Sequence, residues 1–342
     1  MLPLEPSRAL QLIKFLGTEK MAVIDYDGAC ALCDNSTITK EDVQRVHSEK
    51  FTGELFSSDR KLIEKNLLDC YELIDKKTGK PNRYEPLNAK IPLYKMMDTI
   101  LIQLTASYLG CRLAVQQKGG FCFVATGGNH HSRYDNGAGF CLLNDIIIAA
   151  RKMQAEGHSR LIWIIDVDAH KGCGSAELVS YIRNKKNPHG FEQGCGIKTL
   201  SVHMTHGWPL DDETLRDARP DAAPLISSDI EIPVETGRDN DYVPLLKNGL
   251  QKLEAISGGK NADLAIVVDG ADPYEKDELA SSGLLRLTLE QCLERDLLIY
   301  NFLQKREIAS AWIMAGGYGE NAWEPPAHFL KTIANSKSKN IS

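Results

Sequence analysis

The 342-residue sequence predicts one α/β domain built on a parallel sheet with right-handed crossovers. Three observations carry this. Short, wholly apolar runs recur along the chain, as buried parallel strands require. Helix-like stretches alternate with them. Run after run then stops in polar, chemistry-bearing residues, which an open parallel sheet gathers into one crevice at the carboxyl ends of its strands. No repeat or linker argues for a second domain, and the core is expected over residues 20–330 of 1–342.

Residues 1–20 read as a short helix, with Ala9, Ile13 and Leu16 at helical spacing. MAVIDYDGACALCDN (21–35) reads as a strand entering an irregular loop. Its single pair, Cys30 and Cys33, lacks the second pair of a zinc site and the following helix of a redox motif. Thr39, Glu41 and Asp42 have the form of an N-cap with acids in the first turn. Residues 51–97, polar and broken by Gly79, Pro81, Pro86 and Pro92, read as an irregular excursion, either rim and lid material or a plain surface insertion. A helix over 93–110 precedes the strand GFCFVAT (120–126), and GGNHH follows it. Its two glycines permit a tight turn, and His130 and His131 stand in tandem at a strand's carboxyl end. GAGFC (137–141) is a flexible loop, and 144–154 is a helix.

RLIWIIDVDAHKGCGSA (160–176) is the stretch on which the rest converges. Its apolar run ends in Asp166, Asp168 and His170, which leave one face of an extended chain while Val167 and Ala169 leave the other. Two carboxylates and an imidazole at a buried strand end are unfavourable unless a cation sits among them. A divalent metal answers that; capping of the next helix is the plainer alternative. Beyond it come a helix (175–184), a strand ending in His203 (198–203), an acidic loop-rich segment (211–240) and a helix (242–256). DLAIVV (263–268) is a further buried strand and ends in Asp269 and Asp272; SAWIMA (310–315) ends in Gly316-Gly317-Tyr318-Gly319. The tail, 331–342, is expected to be a helix end that frays or is disordered.

Composition narrows the function classes. A formal charge of −6 offers no basic face for nucleic acid. No apolar run reaches the roughly 18 residues of a membrane span, and the N-terminus lacks the order of a secretory signal. The nine cysteines are an odd number, several inside apolar runs (Cys111, Cys122, Cys141, Cys292), which suggests reduced thiols in the cytoplasm. Nuclear placement or export is left open.

Asp168, His170 and a carboxylate from a distant strand make a three-ligand site with an open position, the format of a catalytic zinc. Such an ion polarises a carbonyl and acidifies water. One of the paired histidines can take a proton and return it to a leaving amine, and a tyrosine between glycines can donate to an oxyanion. The residues therefore point to metal-assisted hydrolysis of an amide.

GGNHHS, GAGFC, LLNDI, DVDAHKGCG, GADPYEKDELASSGLLRLT and AGGYG, in this order and spacing, resemble the histone deacetylase superfamily, most nearly its bacterial-type and class IV members. With weaker similarity in RVHSEKF (45–51) and IPLYKMM (91–97), the resemblance covers about residues 40–325. It implies the arginase-deacetylase fold, a central, mostly parallel sheet with helices on both faces. It implies zinc ligands Asp168, His170 and Asp272, with His130 and His131 as tandem base and acid and Asp166 orienting His130. Tyr318 matches the oxyanion tyrosine. Phe140 and Trp208 match the aromatics of the acyl-lysine tunnel, beside Gly128 and Gly139. Asp166, Asp168, His170, Ser201 and Val202 match a structural potassium site. Implied substrates are acyl-lysine in proteins or peptides, histone tails among them, or acetylated polyamines.

Two positions depart from the family pattern. Cys173 stands where the turn commonly carries an aspartate paired to the second histidine, which leaves His131 without a carboxylate and implies slower or more alkaline-dependent turnover. Asp269 precedes GADP, as an extra ligand or a loop cap. Arginase-type ureohydrolases, with two manganese ions, share the fold, but Gly172 and Val267 occupy positions where their ligand pattern needs aspartates. A catalytically silent scaffold that binds acyl-lysine is the third reading.

Overall fold

The structure, a computed structural model, describes residues 7–18, 23–75, 77–82, 84–184, 196–212 and 225–339. Its strands are β1 (Phe121–Val124), β2 (Ile162–Asp166), β3 (Ile197–Met204), β4 (Ile230–Val234), β5 (Leu264–Asp269) and β6 (Ala309–Met314). They form one sheet in the order β1-β6-β5-β2-β3-β4, and every pairing is parallel. This is the predicted α/β architecture.

Alternation along each strand builds a core on both faces. Ile162 and Ile164 of β2 join one apolar cluster with α6 (Met96–Ala114), α7 (Asp145–Ala155) and α8 (Cys173–Asn184). Trp163 and Ile165, then Val167 and Ala169 beyond the strand, join the other, against α1 (Arg8–Thr18), α9 (Tyr242–Ile256), α10 (Leu289–Gln304) and α11 (Glu324–Lys339). The extended alternation thus runs past the last strand residue, as the sequence pattern requires.

Connectivity places the crevice. The chain leaves β2 through α8 toward β3 on one side, and leaves β5 through α10 toward β6 on the other. Neighbouring strands β2 and β5 therefore flank the topological switch point, where open α/β sheets bind ligands beyond the strand ends.

Several expectations need correction. Residues 21–35 contain no strand among those described: Asp25 caps a short helix, α2 (Tyr26–Leu32), by accepting from Gly28 N at 2.8 Å. Tyr26, Ala29, Cys30 and Cys33 follow a helical period and pack on the core, whereas Val23 and Ile24 are about half exposed, unlike a buried strand. After α3 (Lys40–Gln44), the supposed excursion 51–97 holds most of α4 (Glu49–Leu55) and all of α5 (Arg60–Cys70), whose Phe51, Leu55, Ile63, Leu67 and Cys70 are buried. Among the described residues of this stretch, 56–59 and 71–95 lie outside its α-helices, the latter with two 3-10 turns. The acidic segment 211–240 contains β4, an edge strand that tolerates Pro233 because only its partner side is paired; 213–224 lie outside the described residues. α10 was not anticipated, and a capping box of Thr288 and Gln291 opens it. The tail is helical to Lys339, and 340–342 lie outside the described residues. The Thr39 cap stands as a full capping box with Asp42. The described cysteines are all free thiols. Among the described residues, no helix is long and apolar enough to cross a membrane.

Candidate active site

Two turns, one after β2 and one after β5, meet at the switch point. Asp168, His170 and Asp272 are buried, and one ligand atom from each lies within 4.8 Å of the others. His170 turns Nδ1 toward Asp168 Oδ1 (3.2 Å) and Asp272 Oδ2 (2.9 Å), and Nε2 toward Ser281 Oγ (3.2 Å). Backbone amides fix the carboxylates: Gly316 N donates to Asp168 Oδ2 at 2.8 Å, and Ala169 N to Asp272 Oδ1 at 2.9 Å. Glycine is needed at 270 and 316, since a Cβ at either would press into both carboxylates.

The electrostatics of this cluster suit a cation. Burial and the Asp168 charge push the Asp272 carboxyl up to about 7. His170 is raised to about 10, its two carboxylate neighbours outweighing burial. The ligand-free cluster therefore holds protons that a divalent ion would displace. Two carboxylates, one Nδ1 and a second ring nitrogen held by a hydroxyl fit a tetrahedral ion with one open position.

The paired histidines lie against the same carboxylate. Asp145, at the start of α7, accepts from Gly128 N (3.0 Å), Asn129 N (2.7 Å) and Asn129 Nδ2 (3.0 Å), shaping the turn that presents His130 and His131. A side chain at Gly128 would meet Ala315, so only glycine fits. His130 Nδ1 lies 2.7 Å from Asp166 Oδ2, and its Nε2 3.6 Å from Asp168 Oδ1. Burial would lower the His130 pKa, but Asp166 and Asp168 raise it to about 9. His131 sits 3.8 Å from His130 between ring centres, and Cys173 Sγ is 3.5 Å from its Nδ1. Burial and the charges of His130 and His170 hold the His131 imidazolium well below its usual range. Burial pushes the Cys173 thiol up to about 12, so it faces the ring as a neutral SH.

A cavity of about 260 Å³ joins these groups, lined by His130, His131, Asp168, Phe140, Gly128 and Tyr318. Burial and the charges of Asp272 and Asp168 push the Tyr318 hydroxyl well up, so it stays a donor. Trp208 stands edge-on to His131 at 4.4 Å and to His170 at 5.8 Å. Gly139, at φ +54°, lies where a Cβ would strike the Trp208 and His131 rings. Phe140 also has a positive φ (+64°) and packs 6.4 Å from the Tyr71 ring. Every sequence-predicted residue of the metal, acid-base and aromatic sets thus converges. Of the residues matched to a potassium site, Asp166 pairs in register with Ser201, next to Val202. Ser201 Oγ also lies 3.1 Å from His203 Nδ1.

Asp269 is neither ligand nor loop cap: its Oδ1 accepts from Arg295 at 2.9 Å. Four contributors were not foreseen. Ser281 and Tyr71 have been described. Arg8 of α1 donates to the carbonyls of Gly317 (2.9 Å) and Ala315 (2.6 Å) behind Tyr318. Asp145 was visible only as a letter in LLNDI. None carries a local signal, because each acts on a partner distant in sequence.

His47, in RVHSEKF, pins the loop beyond the histidine pair. Its Nδ1 faces Arg133 O at 2.8 Å, and its Nε2 accepts from Asn144 N at 3.1 Å, so the ring is neutral. Burial lowers its pKa to about 4. Between about 4 and the unfolded value near 6.5, the unfolded chain carries a proton that the folded chain does not. Stability should therefore rise by about 3 kcal/mol across that window and be flat, as far as His47 decides it, on either side. Denaturant titrations at pH 4.5 and 7 on the parent and His47→Gln should show a smaller pH dependence in the variant; equal slopes would exclude this role.

The chain matches the histone deacetylase domain over residues 2–328. It is 27% identical over 227 residues to an uncharacterised protein of Picosynechococcus sp., an alignment covering 66% of this chain and 65% of that one. It is 25% identical over 234 residues to histone deacetylase 2 of Arabidopsis thaliana, covering 68% and 52%. The alignments thus span between half and two thirds of these relatives' own length. Acetylpolyamine aminohydrolase from Burkholderia pseudomallei superposes with a TM-score of 0.62 at 15% identity, covering 95% of this chain and 89% of that one, which shows the shared fold. With the domain match spanning nearly the whole sequence, and His130, His131, Asp168, His170 and Asp272 gathered in two buried groups that share Asp168, the chain belongs to the histone deacetylase family.

Proposed function

We propose that the chain acts as one deacetylase domain that hydrolyses the amide between an acyl group and a lysine side chain, using a single zinc ion held by Asp168, His170 and Asp272. One observation supports this reading above the others: the buried clusters His130-His131-Asp168 and Asp168-His170-Asp272 share Asp168. The ion, when bound, supplies Lewis-acid polarisation of the acyl carbonyl and acidifies water. The residues do the rest. Phe140, Trp208 and Gly139 form walls suited to the methylene stem of a lysine and exclude bulk water. Asp166 holds the Nδ1 proton of His130 and fixes that ring. His131, neutral in its buried setting, takes the proton of the attacking water and returns it to the amine as the carbon–nitrogen bond breaks. The Tyr318 hydroxyl donates to the oxygen that gains charge. Asp166, Asp168, His170, Ser201 and Val202 would hold a structural potassium.

An acetylated polyamine is the second substrate class, favoured by the acidic balance of −6 and by the name of the Burkholderia relative. A two-manganese ureohydrolase finds little support, since Arg295 occupies Asp269 and Val267 is buried among apolar side chains. An acyl-lysine panel and acetylated polyamines, assayed with zinc-loaded protein, should give the highest kcat/KM on an acyl-lysine peptide. Preference for the polyamine selects the second class, and zinc binding without hydrolysis of any substrate selects a scaffold.

Cys173 bears on rate. A neutral thiol stabilises imidazolium less than a carboxylate does, so proton return to the amine is weakened. Because His131 is already unprotonated at neutral pH, the expected consequence is slower turnover rather than a need for alkali. Cys173→Asp should raise the His131 pKa and move the acidic limb of the pH–rate profile upward; a superimposable profile would show that residue 173 does not tune His131.

A further inference from the structure

Arg295 belongs to α10 and is 1% exposed, yet its guanidinium grips both halves of the metal centre. Nη1 donates to Val167 O (3.2 Å) and to Gly270 O (2.8 Å). Nη2 donates to Asp269 Oδ1 (2.9 Å) and Nε to Asp296 Oδ1 (2.7 Å). Val167 lies between Asp166 and Asp168, and Gly270 two residues before Asp272. These carbonyls sit in the two turns that supply all three ligands. The ladder between β2 and β5 has ended there, its last register pair being Asp166 with Val268. Beyond it, Val167 N donates to Val268 O at 3.1 Å and Ala169 N to Asp272 Oδ1 at 2.9 Å. The turns approach so closely that a Cβ at Gly270 would lie 2.6 Å from Asp168 Cα. Tyr242 Oη gives Val167 O a second, longer donor at 3.3 Å.

We propose that Arg295 is a positioning residue: one planar fork, anchored by Asp269 and Asp296, sets the distance between the DVDAH and DGAD turns and thereby the spacing of Asp168, His170 and Asp272 for the ion. This explains Asp269 at a position where metal ligation was the other option. A guanidinium has donors in a fixed plane that can hold two carbonyls and two carboxylates at once, whereas an ammonium is a point charge with three donors. A cluster serving only to stabilise the core could be exchanged for apolar groups without consequence; one that sets ligand spacing could not.

The inference rests on the zinc reading above, but its test reads metal binding without any acyl substrate. Zinc affinity, from competition with a chromogenic chelator, is measured with Arg295→Lys, its fold checked by circular dichroism, alongside kcat and KM at saturating zinc. The expected result is affinity lower by about 10–100-fold, as for loss of an outer partner of a metal ligand, with kcat reduced and KM within about twofold of the parent. A folded Arg295→Lys whose zinc affinity and kcat match the parent overturns the proposal. Should that variant not fold, the combination R295M/D269N/D296N, which removes all three charges of the cluster, replaces it: parent-like stability with weakened zinc binding supports positioning, and unchanged binding overturns it. If neither folds, Arg295 is a residue of the core and the proposal falls. A parent that binds zinc tightly but hydrolyses no acyl amine would sink the functional reading and leave this one standing.

Discussion

Tyr318→Phe is expected to lower kcat by about 100- to 1000-fold, with KM and zinc affinity nearly unchanged. That is the usual effect of deleting one donor to a developing oxyanion. Burial and the nearby carboxylates keep the hydroxyl protonated far into alkaline pH, so the ring can donate but not act as a base. The change removes one oxygen atom at the edge of the cavity while the backbone stays fixed: Tyr318 N donates to Asp277 Oδ2 at 2.7 Å, and Glu278 N to Tyr318 O at 3.2 Å. Steady-state kinetics on an acetyl-lysine peptide would check it. A kcat within a few-fold of the parent would mean that another group meets the oxyanion.

Asp272→Ala should abolish tight zinc binding, well beyond the roughly 10–100-fold effect of losing an outer partner. The readout is stability. A ligand that binds only the folded state adds about 4 kcal/mol at 1,000 times its Kd, so zinc should sharply raise the denaturation midpoint of the parent. In Asp272→Ala that increment should vanish, although the ligand-free variant need not be weak. Its carboxyl is pushed up to about 7 by burial and by Asp168, so removing it relieves a strained pair while freeing Ala169 N. Undiminished stabilisation by zinc would exclude Asp272 as a ligand.

The parts of this architecture that were legible are those whose signal is local. β2, β5 and β6 are apolar runs, interrupted only by Ser310 in β6 and buried at every residue, and the acids that end β2 and β5 are contiguous with them. DVDAH and GGNHH each place their reactive side chains within five residues; alternation along an extended segment orients those of DVDAH, whereas the histidine pair follows a glycine turn. Asp272 needed the resemblance, because its partners lie about a hundred residues away. Elements that failed did so for physical reasons. α2 was hidden by its apolar letters, which a strand shares, and is decided by the Asp25 cap and the inward spacing of Cys30 and Cys33. α5 was hidden by a polar composition, with only Ile63, Leu67 and Cys70 fully buried. β4 alternates buried and exposed residues, as an edge strand with one covered face does, within an acidic segment that reads as loop. Arg8 and Arg295 were unreadable for the same reason as each other: a buried arginine on a helix looks like a surface arginine until tertiary packing brings distant carbonyls to it.

That a single ion, held between the β2 and β5 turns, drives amide hydrolysis is tested most directly by titrating metal-free protein with zinc while following release of acetate from an acetyl-lysine peptide. Turnover should be absent at the start, rise linearly and level off at one zinc per chain. Saturation at two equivalents, activity restored only by manganese, or full turnover without added metal would each contradict it.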